Sequence, residues 1–261
     1  RLYAGQGRLD EADKVYLGLI ELDPTDASRR IAYVSFLVGQ QQFEKAATFL
    51  QASIAAYPHE DSLRLTLGNL YEANVRLDEA KAAYQALADH SPKSADGIKG
   101  RVRIAVIEST QKNAAAAKKV IDELLVDIPD EPTALLLRAG SRLKDGKADE
   151  AIADLRIATR KEPENITALL LLAEAQQSKN ELAVAKDIYR QVLKIRPDSA
   201  VALRELVKLS VAGQEYADAE QMLSERLKAR PDDVAASRAL VDLLLSQGKK
   251  DQAAAEAQRR A

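Results

Sequence analysis

The apolar residues of this chain recur at helical spacing, and short polar breaks divide them into paired segments. The clearest pair runs from Asp61 to about His90. The first segment places small or apolar side chains along one 3.6-residue stripe, at Leu63, Leu67, Gly68, Leu70 and Tyr71. After a break at 72–75 the second segment begins, with Leu77, Ala80, Ala83, Tyr84 and Leu87. This pattern predicts two amphipathic helices that are joined by a short turn.

The pair of segments repeats along the chain at a nearly fixed interval. Prolines at 24, 58, 92, 129, 163, 197 and 231 lie 34 residues apart, except that the interval from Pro92 to Pro129 is 37 residues. An alanine precedes each of these prolines by twelve residues, and Ala253 continues that series. Because proline cannot continue a helix interior, each proline closes one pair. A period of this length indicates an all-α array of stacked helix–turn–helix units.

We expect a single domain of about eight units, and we expect the chain to be a fragment of a longer protein. The unit bounds are 1–26 (partial), 27–60, 61–94, 95–131, 132–165, 166–199, 200–233 and 234–261 (partial). Two residues after each proline lies a candidate N-cap, and five of the seven are favourable types: Asp26, Ser94, Asn165, Ser199 and Asp233. The three extra residues of the fourth unit lie in 93–100, which includes Gly97 and Gly100. They predict a longer connection or an irregular first turn, with either a kinked array or no further effect.

Composition supports a folded array and excludes several classes of function. The 261 residues are 46% hydrophobic and 30% charged, which is enough apolar material to bury a large core. No apolar run of 18 residues is present, so we predict no membrane insertion. The net charge is −2 and tryptophan is absent, so the chain lacks both a polyanion-binding charge and a platform for stacking bases. The basic stretch 93–119 is followed by acidic residues, and we expect no nucleic-acid partner.

No constellation of catalytic or metal-binding residues stands out. Cysteine is absent, and the two histidines, His59 and His90, each lie beside a proline that closes a unit. The stretch from Gly140 to Lys147 resembles a phosphate-binding loop only briefly, because Ala148 replaces the required serine or threonine. Gly146 is better interpreted as the turn inside a unit, equivalent to Gly248, and the same holds for Gly5 and Gly7. We therefore predict no enzyme activity, no cofactor and no metal.

Six residues of the third unit lie at the spacing of the tetratricopeptide repeat (TPR) signature: Leu67, Gly68, Tyr71, Ala80, Tyr84 and Pro92. Other units keep part of it, such as Tyr3, Ala12, Tyr16 and Pro24 in the first and Leu172, Ala173, Ala185, Tyr189 and Pro197 in the sixth. The whole chain thus resembles the TPR family. Pentatricopeptide and other two-helix repeats are the nearest alternatives, but the period and the small residues favour TPR. The resemblance implies a right-handed superhelical solenoid whose first helices line a concave groove for protein partners.

That implied register gives ten candidate partner-binding residues: Asn69, Glu72, Lys99, Arg103, Leu136, Leu137, Leu170, Leu171, Glu174 and Arg204. The leucine runs 135–137 and 169–172 are too wide for one buried stripe, so part of each run should face the groove and suit an amphipathic helix or an extended peptide. The alternative is that these leucines pack against the neighbouring first helices and are covered.

A second feature of the groove is basic. Lys99 and Arg103 lie one turn apart, near Asn69, and predict binding of a carboxylate. The chaperone-binding members of the TPR family grip a carboxylate through residues of three units. Here Leu65, Thr133 and Leu137 stand at positions of that clamp, so a chaperone C-terminus is not the expected ligand.

We therefore predict a non-catalytic protein–protein interaction scaffold that binds a protein or peptide segment along its groove. Two alternatives remain open: a structural module that self-assembles end to end or as a homo-oligomer, and the regulatory arm of a larger enzyme or export complex. The alanine-rich units, short loops and absent cysteines resemble bacterial TPR arrays that serve envelope assembly and polysaccharide export. That analogy gives the bacterial periplasm or cell envelope as the expected location, and otherwise the cytoplasm.

Overall fold

A computed structural model describes residues 9–259, and within them the chain forms fifteen α-helices and no β-strand. Tyr3, Gly5 and Gly7 lie outside the described residues. In chain order the helices are α1 (Leu9–Leu22), α2 (Ala27–Gly39), α3 (Phe43–Ala56), α4 (Asp61–Ala73), α5 (Leu77–His90), α6 (Ala95–Thr110), α7 (Ala114–Asp127), α8 (Pro132–Lys144), α9 (Ala148–Lys161), α10 (Ile166–Ser178), α11 (Leu182–Ile195), α12 (Ala200–Ala212), α13 (Tyr216–Ala229), α14 (Val234–Ser246) and α15 (Lys250–Gln258). The predicted alternation of first and second helices is confirmed.

The chain divides into two compact halves, Arg1–Pro129 and Asp130–Ala261. In each half the two helices of a repeat pack as a hairpin, and the next hairpin stacks against it. The core of the N-terminal half is rich in aromatic residues, with Tyr33, Phe36, Tyr71 and Tyr84 all buried. Leucine and alanine dominate the cores of the C-terminal half, where Tyr189 is the one buried aromatic side chain of the two described clusters.

We number the repeats as the units above, so that repeat 3 is residues 61–94. Small residues let the two helices of repeat 3 approach closely, as predicted. A Cβ atom added to Gly68 would lie 2.3 Å from the Tyr84 ring, which is far inside contact distance. Ala80 and Tyr84 are both fully buried at the same crossing. Any larger side chain at Gly68 therefore has to displace the tyrosine or separate α4 from α5.

Side chains cap the first helix of most repeats. All five favourable N-cap candidates accept a bond from a backbone N–H of the helix that follows, at 2.9–3.4 Å: Asp26, Ser94, Asn165, Ser199 and Asp233. Glu131 also caps, since its Oε2 accepts from the Ala134 N–H at 2.6 Å. Burial raises the pKa of Glu131, although those backbone bonds oppose the shift. None of the seven second helices from α3 to α15 has a side-chain cap, so side-chain capping marks the first helices.

The turn inside each of repeats 2 to 8 contains one residue in the left-handed conformation, always at the same position. The seven residues are Gln41, Val75, Lys112, Gly146, Asn180, Gln214 and Gly248. Gly146 and Gly248 both have φ of +73°, which confirms their interpretation as equivalent turn residues. Val75 is the unusual member, because a β-branched side chain is strained at its φ of +61°.

The three extra residues of repeat 4 lengthen a helix and do not form a loop. Helix α6 has 16 residues, whereas every other described first helix has 13, so the prediction of a longer connection or irregular turn is wrong. The two glycines serve close packing instead. A Cβ atom on Gly97 would lie 1.8 Å from the Ser91 carbonyl oxygen, and one on Gly100 would lie 3.1 Å from the Tyr84 carbonyl oxygen. Both glycines thus let α6 pack directly on the end of α5.

Ion pairs connect successive repeats at a regular interval. Each joins residues about thirty positions apart: Asp13 with Lys45, Glu44 with Arg76, Lys81 with Glu108, Asp130 with Lys161, Asp149 with Lys179, Lys186 with Glu215, and Glu220 with Lys249. Most of these side chains are partly exposed, so each pair contributes at most about 1 kcal/mol. Together they add an electrostatic link to the apolar contact between neighbouring hairpins.

Candidate functional site

Three of the predicted site residues meet in one polar network on the N-terminal half. The Tyr84 hydroxyl on α5 lies 2.7 Å from Asn69 Oδ1 and 2.8 Å from Glu72 Oε2, both on α4. Arg103, from the next first helix, donates from Nε to Glu72 Oε2 at 3.0 Å and also pairs with Glu72 Oε1. Burial raises the pKa of the Tyr84 hydroxyl, and the neighbouring Glu72 carboxylate raises it further. The network is thus closed by partners within the protein.

Lys99, which the sequence pairs with Arg103 in the predicted basic feature, lies outside this network. Its Nζ pairs with Asp96 Oδ1 at 2.8 Å, while Arg103 is held by Glu72. Two further cations of the basic stretch are paired as well, Arg101 with Asp127 and Lys118 with Asp122. A carboxylate ligand at Lys99 and Arg103 has to compete with these internal acids, and the stretch is not an open basic patch.

The leucine runs of the C-terminal half divide between the core and the surface. Leu135, Leu169 and Leu172 are buried, whereas the four predicted site residues Leu136, Leu137, Leu170 and Leu171 are half-buried. Three of those four, Leu136, Leu170 and Leu171, pack against the core cluster of α8–α12 from one side. We call these four leucines the leucine face.

Gly140 leaves room next to the leucine face. It lies one turn after Leu136 on α8 and therefore on the same side of the helix. A Cβ atom added to Gly140 would meet no atom within 4 Å. The space beside the half-buried leucines is therefore open at this point.

The last two predicted site residues, Glu174 and Arg204, are exposed on α10 and α12. Between them lies Tyr189, whose hydroxyl donates to Gln177 Oε1 at 2.7 Å. Burial raises the pKa of Tyr189 to about 12, and the charges of Glu205 and Glu174 add to the shift. Arg204 makes one contact with Glu205 at 3.2 Å and remains 69% exposed. Glu174 and Arg204 are thus more accessible than the paired Glu72 and Arg103.

A buried ion cluster at the start of the C-terminal half is not among the sites predicted from the sequence. Asp154 on α9 is 3% exposed and accepts bonds from Arg138 Nε at 2.9 Å and Nη2 at 2.7 Å. Arg142 pairs with the same carboxylate. Counted back from the closing proline, Arg138 occupies the position of Leu67 and Arg142 the position of Tyr71. Aligning the repeats at the 34-residue period reveals this substitution of two core positions by arginine.

Two kinds of site are not formed by the described residues. Residues 9–259 contain no group of three or more histidine, cysteine or acidic side chains that is placed to hold a metal ion. None of their helices is both long and apolar enough to cross a membrane.

Comparison with known proteins identifies the repeat. One tetratricopeptide repeat family model matches residues 37–99, 142–204 and 178–236, and a second matches residues 1–26. Together the matches of the first model cover more than half of the chain. No curated protein matches the chain by sequence.

Several solved structures have the same architecture. The APC/C hetero-tetramer Cut9-Hcn1 matches 92% of this chain with a TM-score of 0.61 and 15% identity, and this chain spans only 46% of that one. Pseudomonas aeruginosa pilF matches 75% of this chain and 88% of its own, with a TM-score of 0.59 and 19% identity. YrrB, described as a TPR protein with an unusual peptide-binding site, matches 72% of this chain and 95% of its own, with a TM-score of 0.51 and 16% identity. At these identities the likeness shows the fold, and the predicted all-α solenoid class is confirmed.

Proposed function

Because this chain belongs to the tetratricopeptide repeat family, we propose that it holds a segment of a partner protein against the leucine face of its C-terminal half. Proteins of this family are generally non-catalytic scaffolds for protein interaction. YrrB is described as having a peptide-binding site, which is one instance of this use of the fold. The proposal names the surface on this chain and the chemistry of the segment that binds there.

The half-buried state of the leucine face carries the proposal. Leu136, Leu170 and Leu171 each pack on the core and still present part of their side chains to the exterior. Removing that remaining apolar surface from water stabilises a complex by about 25 cal/mol per Å². The open space beside Gly140 gives a partner side chain a place to enter between them. An amphipathic helix or an extended apolar segment has the matching chemistry.

The charged residues near each candidate surface favour the C-terminal half over the N-terminal half as the location of the partner site. On the N-terminal half Arg103 and Glu72 satisfy each other, so a ligand there first has to break an ion pair. Beside the leucine face, Glu174 and Arg204 are exposed and remain available to orient a polar flank of the partner. Apolar contact thus provides affinity, and the charges set the direction of the segment.

The proposal is tested by selecting peptides from a random displayed library against the intact chain and measuring their affinity for two variants. The double variant Leu136→Glu/Leu170→Glu places charge on the leucine face. Gly140→Phe fills the open space and removes no existing contact. We expect selected peptides with apolar residues at helical or alternate spacing and a loss of binding of at least about tenfold in each variant.

The control is Leu245→Glu, which changes a 50% exposed leucine on α14 outside the leucine face. It should leave the affinity unchanged. Circular dichroism establishes that each variant keeps its helix content. Peptides that bind all variants equally well contradict the proposal and place the site elsewhere.

One observation favours a second candidate function, self-association. Helix α1 exposes four large apolar side chains, Val15, Leu17, Leu19 and Leu22, and Leu22 is 78% exposed. A row of apolar residues on one helix suits contact with another copy of the chain. Light scattering over a range of concentrations tests this reading. A mass that rises with concentration in the wild type and stays monomeric in Leu19→Glu/Leu22→Glu supports it, and a monomer throughout refutes it.

A further inference from the structure

A cleft elsewhere on the C-terminal half has the properties of another binding site. It lies between α11 and α13, above α12, and has a volume of about 490 Å³. Its lining is mostly apolar. The buried Leu203 and Leu206 of α12 lie at its base, and the half-buried Leu193 of α11 and Met222 of α13 lie on its walls. Pockets of about 300–1,000 Å³ with mostly apolar lining are typical of ligand sites. This volume accommodates one large apolar side chain together with part of its backbone.

The rim of the cleft carries more cations than acids. Four cations and one acid lie along it: Arg190 and Lys194 from α11, Arg226 and Arg230 near the end of α13, and Asp218. Lys194 has no ion-pair partner among residues 9–259, and Arg230 donates to the Pro197 carbonyl oxygen at 3.3 Å. Arg226 is held by Asp233 at 2.7 Å, and the exposed Arg190 by Asp187 at 2.8 Å. Both walls therefore present positive charge across an apolar floor.

A second cleft in the same half shows that this charge is not a general property of the repeat. That cleft, of about 380 Å³, also lies between second helices, α9 and α11. Its rim has two cations, Arg156 and Lys179, and two acids, Asp149 and Glu181. Lys179 and Asp149 form an ion pair with each other. The excess of positive charge is specific to the larger cleft.

We propose that the cleft between α11 and α13 binds an acidic segment of a partner protein that carries one large apolar side chain. The apolar side chain inserts between Leu193 and Met222, which lie half-buried on the two walls. Carboxylates on either side of it pair with Lys194 and with Arg230, because a ligand that complements a positive rim carries negative charge. None of the residues that line the cleft belongs to the leucine face, so this site is separate from that face and does not rest on it.

Peptide selection with matched variants tests the proposal. A random displayed library is selected on the intact chain, with the leucine face blocked by the Leu136→Glu/Leu170→Glu substitutions. We expect enrichment of peptides in which a phenylalanine, leucine or methionine lies between aspartates or glutamates. Their affinity, measured by fluorescence anisotropy, should fall at least about tenfold on Lys194→Glu and should weaken as the salt concentration rises.

Two further variants separate binding from folding. Ala229→Phe fills the cleft from an exposed position on its wall and should abolish binding. Lys208→Glu reverses an exposed lysine on α12 outside the cleft and should leave binding unchanged. The proposal is overturned if no acidic peptides are enriched, or if the enriched peptides bind Lys194→Glu and Ala229→Phe as tightly as the wild type. It is also overturned if the cleft prefers dodecanoate, tested directly, because the ligand is then a small amphiphile.

Discussion

Repeat 3 of the N-terminal half buries Leu67 and Tyr71 in its core, and the same first helix pairs its Glu72 with Arg103 near the surface. Repeat 5, at the start of the C-terminal half, has the reverse arrangement. There the two core positions are Arg138 and Arg142, both held by the buried Asp154. Counted back from the closing proline, the position of Glu72 in repeat 3 is Leu143 in repeat 5.

The inversion shows which features of the repeat are fixed. Repeat 5 keeps the small residues at the helix crossing, since Ala139 and Ala151 are fully buried as Ala80 is. It also keeps the left-handed turn, at Gly146. Close helix approach and turn geometry therefore define the hairpin, and the polarity of the other positions can change if charges remain paired.

The largest expected effect comes from breaking the buried cluster. Asp154→Ala leaves the guanidinium groups of Arg138 and Arg142 without their shared carboxylate. We expect a loss of about 3 kcal/mol in the free energy of unfolding, measured by urea denaturation. Glu72→Ala removes the corresponding acid of the more exposed pair and should cost about 1 kcal/mol.

Two controls sharpen that result. Asp154→Asn keeps the shape of the side chain and should still destabilise, because the lost feature is its charge. The triple variant Arg138→Leu/Arg142→Tyr/Asp154→Ala restores the pattern of repeat 3 and should recover most of the loss. Equal effects of Asp154→Ala and Glu72→Ala would contradict the distinction between buried and surface charge.

Glycines give the next contrast between the halves. Gly97→Ala forces a methyl group against the Ser91 carbonyl oxygen and should destabilise the N-terminal half by about 2 kcal/mol. Gly140→Ala adds a methyl group in open space on a helix and should stabilise the C-terminal half by up to about 1 kcal/mol. Thermal unfolding followed by circular dichroism measures both changes. Changes of the same sign would show that helix propensity outweighs packing at both sites.

The turns inside the repeats differ as well. The described turns of the N-terminal half place Gln41, Val75 and Lys112 in the left-handed position, whereas the C-terminal half uses glycine at two of its four. Val75→Gly should relieve the strain of a β-branched residue that is 78% exposed and makes no buried contact to lose. We expect a gain of about 1 kcal/mol in thermal unfolding experiments. The reverse change, Gly146→Val, should be destabilising by a similar amount.

The smallest expected effect is on the stability of the fold at acidic pH. Burial favours a raised pKa for Asp233, but the Ala236 N–H and Arg226 outweigh it and lower the pKa below its ordinary value. The Asp233 carboxylate therefore stabilises the fold fully above its ordinary pKa, near 3.9. This stabilisation is lost as the pH falls through the lowered pKa of the folded state. Asp233→Asn keeps a capping oxygen and removes the charge. Urea midpoints between about pH 6 and pH 3 should fall less steeply for this variant.

An N-terminal counterpart provides the comparison for acid sensitivity. Asp61 is also partly buried, and hydrogen bonds from Ser91, Ser94 and His90 lower its pKa. Asp61→Asn should flatten the acid dependence in the same direction. If neither variant changes the slope, the acid sensitivity of the chain arises elsewhere.

Much of the fold follows from the period of the sequence. The spacing of Ala80 and Pro92 predicts where each helix pair crosses and ends, and side-chain chemistry predicts the caps, because both are local properties. The three extra residues of the fourth unit predict a longer connection or an irregular turn, whereas in the structure they lengthen α6. Glycine is permissive in a loop and equally necessary where two backbones touch, and only the packing of α6 on α5 distinguishes the two uses.

Less of the candidate site is predictable. Glu72 and Arg103 each stand out in the sequence, but their pairing depends on how one repeat stacks on the next. The leucine runs indicate surplus apolar residues without showing that Leu135 is buried and Leu136 half-buried, since one helical step separates the two outcomes. Arg138 is visible as an exception at a core position once the repeats are aligned. Its acceptor, Asp154, is known only from the packed hairpin.

The ion pairs between successive repeats affect how cooperatively each half unfolds. In a stacked array, cooperativity depends on the coupling between neighbours relative to the stability of each hairpin. Apolar contacts supply most of that coupling, and pairs such as Glu44–Arg76 and Glu220–Lys249 add a part that dissolved ions screen. Ionic strength therefore changes the coupling between neighbouring hairpins more than it changes the stability of each hairpin. At high salt each half behaves less as a single cooperative body and more as a row of hairpins that open one after another.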